Sequence, residues 1–216
     1  MGTERGFDRL VFFTDAVTAI AITLLILPLV DLVPEYAAAH PHGTIGGFVG
    51  EYARQLGAFL LSFVIIARLW LANHRALEPV ERQSRPLLTL SLAWALTVVV
   101  LPLPTALIAS TLTDDRAGIA FYIGTMTASS LLLTAICWEV YRRPELGGAD
   151  REETLMNLYG VASIAVFFVV ALVVGVAFPQ INFYALFLLL LTAPLDWIIK
   201  PRLRARFRNA ADTPRR

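Results

Sequence analysis

Apolar stretches of about 20 residues, the length that crosses about 30 Å of hydrocarbon as a helix rising about 1.5 Å per residue, recur along this 216-residue chain and constrain its fold more than any other feature. Inside a bilayer no water satisfies backbone N–H and C=O groups, so each stretch must close its hydrogen bonds within itself as an α-helix. The stretches predict spans at 10–32, 50–74, 86–110, 117–141, 155–178 and 180–199. The fold class read from them is all-α: a polytopic membrane protein with six transmembrane helices per subunit. Composition agrees, because 57% of residues are hydrophobic and only 16% charged, against about 25% charged in a soluble domain. Pro179, in Phe178-Pro179-Gln180-Ile181-Asn182, cannot continue a helical ladder and predicts a tight hairpin between the last two spans.

Arginine and lysine set the orientation, since cytoplasmic connections are enriched in them. One side collects Arg5 and Arg9, then Arg75, Arg82 and Arg85, then Arg142, Arg143 and Arg151, then seven from Lys200 to Arg216. The other has only Arg54 and Arg116. An even number of spans with both termini cytoplasmic accounts for every connection. The division expected is one six-span domain, 1–200, followed by a basic cytoplasmic tail, 201–216. The tail cations can meet anionic lipid headgroups, although a topology anchor is the plainer role for them.

Several functions lose support. Cys137 is the single cysteine and lies in an apolar run, which excludes an intramolecular disulfide and a multi-thiolate metal site. The N-terminal run closes on Leu27-Pro28-Leu29-Val30 without a small-residue cleavage site, so the first span is expected to remain. His40 and His42 sit in Ala39-His40-Pro41-His42-Gly43, a turn sequence with too few ligands for a metal. There is no His-Glu-x-x-His, no Gly-x-Ser-x-Gly and no nucleotide fingerprint. Neither an enzyme, nor a cofactor, nor a nucleic-acid partner is expected.

Ionisable residues inside apolar spans carry the functional question, since each needs a partner. Asp15 lies about a turn and a half beyond Arg9 in the first span, where an unpaired carboxylate would be expensive. Antiparallel neighbours bring the start of one helix beside the end of the other. Arg68, Trp70, Asn73, His74 and Arg75, at the end of the second span, therefore share its depth. A network joining Arg9 and Asp15 to Trp70, Asn73 or His74 would set how the first helix is rotated; the plainer alternative is snorkelling arginines and a capping aspartate. Further along, Ile20, Thr23 and Leu27 fall at i, i+3 and i+7, with Ala16 extending the stripe. In one helix such a stripe is ordinary packing. Around a shared axis of four copies it would become stacked rings of isoleucine, threonine hydroxyl and leucine, able to gate by dewetting and to contact a partly stripped cation.

Arg9-Leu10-Val11-Phe12-Phe13-Thr14-Asp15 resembles the Arg-x-x-x-Phe-Ser-Asp signature of the transmembrane protein 175 family, the lysosomal potassium channels and their prokaryotic homologues. Spacing from Asp15 to Leu27-Pro28 is kept as well. Trp70-Leu71-Ala72-Asn73-His74-Arg75 resembles a Trp-x-x-His region ending the second span, and Leu101-Pro102-Leu103-Pro104-Thr105 a Leu-Pro-Phe-Pro-Thr segment in the third. Asn73 stands where that family often has histidine, with His74 one residue later, so either could join the network; Ser91 stands where an asparagine is expected.

The resemblance implies a homotetrameric prokaryotic channel in the plasma membrane, modestly selective for potassium over sodium, with potassium as a permeant ion and no cofactor. Ile20 would form the constriction, and Thr23 and Leu27 further rings. Arg9, Phe13, Thr14, Asp15 and Trp70 would brace the pore helix without touching the ion. A proton-coupled secondary transporter is the rival, since six spans with buried Arg, Asp and His suit it too. The absence of a visible inverted repeat and the position of the polar set near one interface count against it.

Overall fold

The structure, a computed structural model, describes residues 4–109, 116–147 and 151–177. The sixth predicted span, the hairpin before it and the basic tail lie outside the described residues. Among those described are eight α-helices and one turn of 3-10 helix, and seven of the helices make five stretches long and apolar enough to cross a membrane: Gly6–Ala39, Ala53–Leu77, Arg85–Leu107, Arg116–Arg142 and Arg151–Ala177.

Two of these stretches are each two helices, where single helices were expected. The first is α1 (Glu4–Leu24) followed by α2 (Leu27–Ala39). Pro28 lacks an N–H, and its ring collides with the carbonyl four residues back. The ladder therefore tightens just before it: Leu25 N–H donates to the Ile22 carbonyl at 3.3 Å and Ile26 N–H to the Thr23 carbonyl at 3.4 Å. Proline also divides the third span into α5 (Arg85–Val100) and α6 (Pro102–Ala109), with Leu101 N–H donating to the Val98 carbonyl at 3.3 Å. The first stretch also runs to Ala39, past the expected residue 32, so it is too long to lie in the membrane along a straight path.

A short α3 (Ile45–Glu51), capped by the Thr44 hydroxyl accepting from Gly47 N–H at 3.1 Å, precedes α4 (Ala53–Leu77). The His40–Gly43 segment before it is a turn closed by Gly43 N–H on the His40 carbonyl at 2.8 Å. Tyr36 stacks on His40 with ring centres 4.6 Å apart, and Phe48 and Tyr52 surround it edge-on or tilted. His40 Nε2 comes within 3.8 Å of a Glu51 carboxylate oxygen. This end of the molecule is tied together by aromatic rings.

The core lies around α7 (Arg116–Arg142), which packs along α8 (Arg151–Ala177) on one side and on α5, α4 and α6 on the others. Ile119, Tyr122, Ile123, Met126, Leu133, Ile136 and Cys137 are buried, a helical repeat that fills the bundle axis. Gly175 lets α8 approach closely, since a Cβ there would meet Ile123 Cδ1 at 3.0 Å and Ile119 Cγ2 at 3.3 Å. At the opposite end from the aromatic cluster, Leu146 in the 3-10 turn (Pro144–Leu146) accepts from Glu81 N–H at 2.8 Å and Arg82 N–H at 2.9 Å. The two arginine-rich connections thus touch each other on one face, as their common charge pattern requires. A Cβ on Gly147 would run into the Pro79 carbonyl, so only glycine permits this crossing.

Candidate functional site

Helix α1 has two faces of different character. Phe7, Leu10, Thr14, Thr18, Ala21 and Leu25 recur at spacings of three or four and are buried, chiefly against α5 and α4. Phe12, Phe13, Ala16, Ile20 and Thr23 occupy the other side and are exposed in the single subunit, Ile20 at 60%. The stripe named from the sequence therefore faces away from its own bundle. Leu27 is also exposed, at 51%, but it belongs to α2, beyond the break.

Hydroxyls on α1 are satisfied within the helix, as apolar surroundings demand. Thr14 Oγ1 donates to the Val11 carbonyl at 2.9 Å, Thr18 Oγ1 to the Thr14 carbonyl at 2.8 Å and Thr23 Oγ1 to the Ile20 carbonyl at 2.8 Å. The first two are buried, whereas Thr23 is exposed. With its proton engaged by Ile20, the Thr23 oxygen turns only lone pairs outward, which suits it to accept a cation and not an anion.

A bond between helices joins α1 to α4: Trp70 Nε1–H on α4 donates to Asp15 Oδ1 at 2.7 Å. That length is characteristic of a charge-assisted bond. Asp15 lies between the buried and exposed faces of α1, so its bond can fix both at once. His74, one turn beyond Trp70, stacks on the indole at 5.7 Å with 27° between planes. Asn73 points elsewhere: it is 1% exposed, within the core, and its Oδ1 has no hydrogen-bond partner among the described residues. Of the two candidates at this position, His74 is the one beside Trp70.

The remaining predicted residues do not join this group. Arg9 is exposed and makes no ion pair with Asp15 among the described residues. Its long side chain stands on the same exposed face as Phe12 and Phe13, free to reach toward headgroups or another chain. Phe13 is 51% exposed and Thr14 is wholly buried, so they lie on opposite faces of α1. Ser91 is buried without a hydrogen-bond partner for its Oγ among the described residues.

A second buried polar group escaped the sequence reading. Ser62 Oγ on α4 lies 2.8 Å from the Tyr122 hydroxyl on α7 and 3.0 Å from Thr105 Oγ1 on α6, and Thr105 also donates to the Leu101 carbonyl at 2.8 Å. Three helices are thereby joined behind α1. Thr105 belongs to the Leu101–Thr105 segment whose prolines were noticed, but Ser62 and Tyr122 are isolated hydroxyls in apolar runs and carry no periodic signal. The described chain is thus a multi-pass helical membrane protein whose first helix turns Phe12, Phe13, Ala16, Ile20 and Thr23 away from its own bundle and is joined to α4 by a tryptophan–aspartate bond.

Comparison with known proteins narrows this class. The family model described as the endosomal/lysosomal potassium channel TMEM175 matches residues 9–102, from Arg9 on α1 to the first residue of α6. A potassium channel of Streptomyces collinus is 35% identical over 141 residues, which cover 64% of this chain and 66% of that protein, just under two thirds of its length. A potassium channel of Chamaesiphon minutus is 30% identical over 197 residues, covering 85% of this chain and 95% of that one. The chain belongs to the TMEM175 family, whose relatives here are channels and not enzymes. The crystal structure of a homologue of the lysosomal potassium-selective channel TMEM175 from Chamaesiphon minutus shares its fold, with a TM-score of 0.66 and 21% identity, over 94% of this chain and 98% of that one.

Proposed function

We propose that this protein is a potassium channel of a prokaryotic plasma membrane, assembled from four copies whose α1 helices surround a common axis. The observation that carries the reading is the exposed stripe of Ala16, Ile20, Thr23 and Leu27 on the side of α1 away from its own bundle. Family membership and the relatives named as potassium channels support it.

Four Ile20 side chains would close the narrowest ring, with Thr23 oxygens above and Leu27 beyond. An aliphatic ring offers an ion no replacement for its water, so passage costs dehydration. Potassium holds its shell less tightly than sodium, and a partial dehydration therefore favours it without a cage of carbonyls. Thr23 lone pairs would recover some of that cost. The Trp70–Asp15 bond, with His74 against the indole, would keep Ile20 pointed at the axis; Arg9, Phe13 and Thr14 would complete the bracing, and Asn73 would serve it from within the core. Membrane lipids would surround the outer helices.

Two measurements test this. The mass of the purified protein in detergent should be that of four chains, since one α1 cannot enclose a path. Ile20→Asn should raise conductance and shift the bi-ionic reversal potential toward equal passage of potassium and sodium. A monomer, or reversal potentials identical to those of the unmodified protein, would defeat the assignment.

A further inference from the structure

Behind the α1–α2 break lies a cavity of about 310 Å³, bounded by the break itself, the first turns of α4 and the start of α6. This is within the range of small-molecule sites, which are mostly apolar with a few placed polar groups. Leu25 and Leu29 form one wall and Phe59 the other, while Asp31, Gln55 and Thr105 supply the polar atoms among the described residues. Asp31 is exposed and makes no ion pair among the described residues. Glu35 stands one turn further along α2, also exposed, and adds negative potential at the same mouth. Phe59 is only half-buried, which leaves ring surface for a cation to lie against.

We propose that this cavity binds a small organic cation with an apolar body, such as a quaternary ammonium carrying an aromatic group. The carboxylate at the mouth excludes anions. A divalent metal would need several oxygen ligands held together, and no group of three or more His, Cys, Asp or Glu suited to a metal exists among the described residues. A protonated or quaternary nitrogen asks for one carboxylate, an aromatic face and apolar walls, which are the groups present. Its body would wedge α2 away from α4 and α6 and so change the bend at Leu25–Ile26, which carries Leu27. That last effect rests on the channel reading; the binding does not.

The test is calorimetric titration of the full chain in detergent with benzyltrimethylammonium, and with its uncharged isostere neopentylbenzene. Saturable binding of the cation, one per subunit and much tighter than the isostere, is expected. Asp31→Asn should weaken it about tenfold, the loss of about 1.4 kcal/mol, and Phe59→Ala several-fold, with size-exclusion profiles unchanged. Absence of saturable heat, equal binding of the isostere, or indifference to both substitutions would overturn the proposal; the last result would place the cation elsewhere, in the pore for example. Ion flux in liposomes reads the other question separately. No flux without the ligand would sink the channel reading and leave the binding site standing, whereas flux insensitive to a bound cation would refute the wedge.

Discussion

Replacing Trp70 by Phe would remove the one side-chain donor that Asp15 has among the described residues while keeping an aromatic ring in place. A hydrogen bond to a charged group contributes about 1.5–3 kcal/mol in soluble proteins, but bonds between membrane helices measured by double-mutant cycles average about 0.6 and reach about 1.7 kcal/mol. The bond here is 2.7 Å long and only partly buried. Its length and charge argue for the upper end of the membrane range, and its partial exposure argues against exceeding it. A cycle of Trp70→Phe, Asp15→Ala and the double variant should therefore return a coupling of about 1.5 kcal/mol, roughly tenfold in the unfolding equilibrium. Unfolding in mixed detergent followed by far-ultraviolet circular dichroism avoids relying on the fluorescence of a tryptophan that has been removed. Asp15→Asn should lose about half as much, since a neutral amide oxygen still accepts but less strongly. A coupling under about 0.3 kcal/mol, together with unaltered ion flux in Trp70→Phe, would refute the claim that this contact sets the rotation of α1.

Other contacts lend themselves to equally direct measurement. Ser62→Ala removes bonds of 2.8 and 3.0 Å to Tyr122 and Thr105, and should lower stability by about 1–2 kcal/mol, read as a reduced detergent-unfolding midpoint. Gly175→Val places branches against Ile119 and Ile123; overpacking of this kind costs about 1–3 kcal/mol, and an unchanged midpoint would mean that α7 and α8 are more loosely packed than described. Gly147→Ala sets a methyl against the Pro79 carbonyl, where backbone and not a side chain must yield. Protease should consequently cut the Arg-rich connections faster in that variant than in the unmodified protein.

Much of the bundle was legible in the chain because hydrocarbon leaves the backbone few choices. The described spans fall close to the apolar stretches that announced them, and the touching of the Arg82 and Leu146 connections matches their shared excess of cations. What the apolar pattern concealed was the interruption of two spans. Pro28 and Pro102 are visible in the sequence, yet hydropathy counts them as ordinary members of an apolar run, and only the backbone geometry converts each into a break. Leu27 illustrates the consequence, since a stripe drawn on one ideal helix assigns it a direction that the separate α2 helix then determines for itself.

The pairing of Asp15 with a group near the end of the second span followed from depth alone, because antiparallel helices bring equal depths together. Depth does not determine which way a side chain turns, and so it left Trp70, Asn73 and His74 open as partners for Asp15 and Arg9. The structure places Asn73 inside the bundle, His74 on the indole and Arg9 on the exposed face. The meeting of Ser62, Thr105 and Tyr122 lay beyond sequence reasoning for the same cause: their separations of 43 and 60 residues are bridged by helix packing, and nothing local marks them. The positions and order of the described spans come from the solvent a residue must face, which each stretch of chain encodes in its own composition. Rotation, breaks and buried hydroxyl contacts depend on what neighbouring helices present, and those neighbours exist only once the chain has packed.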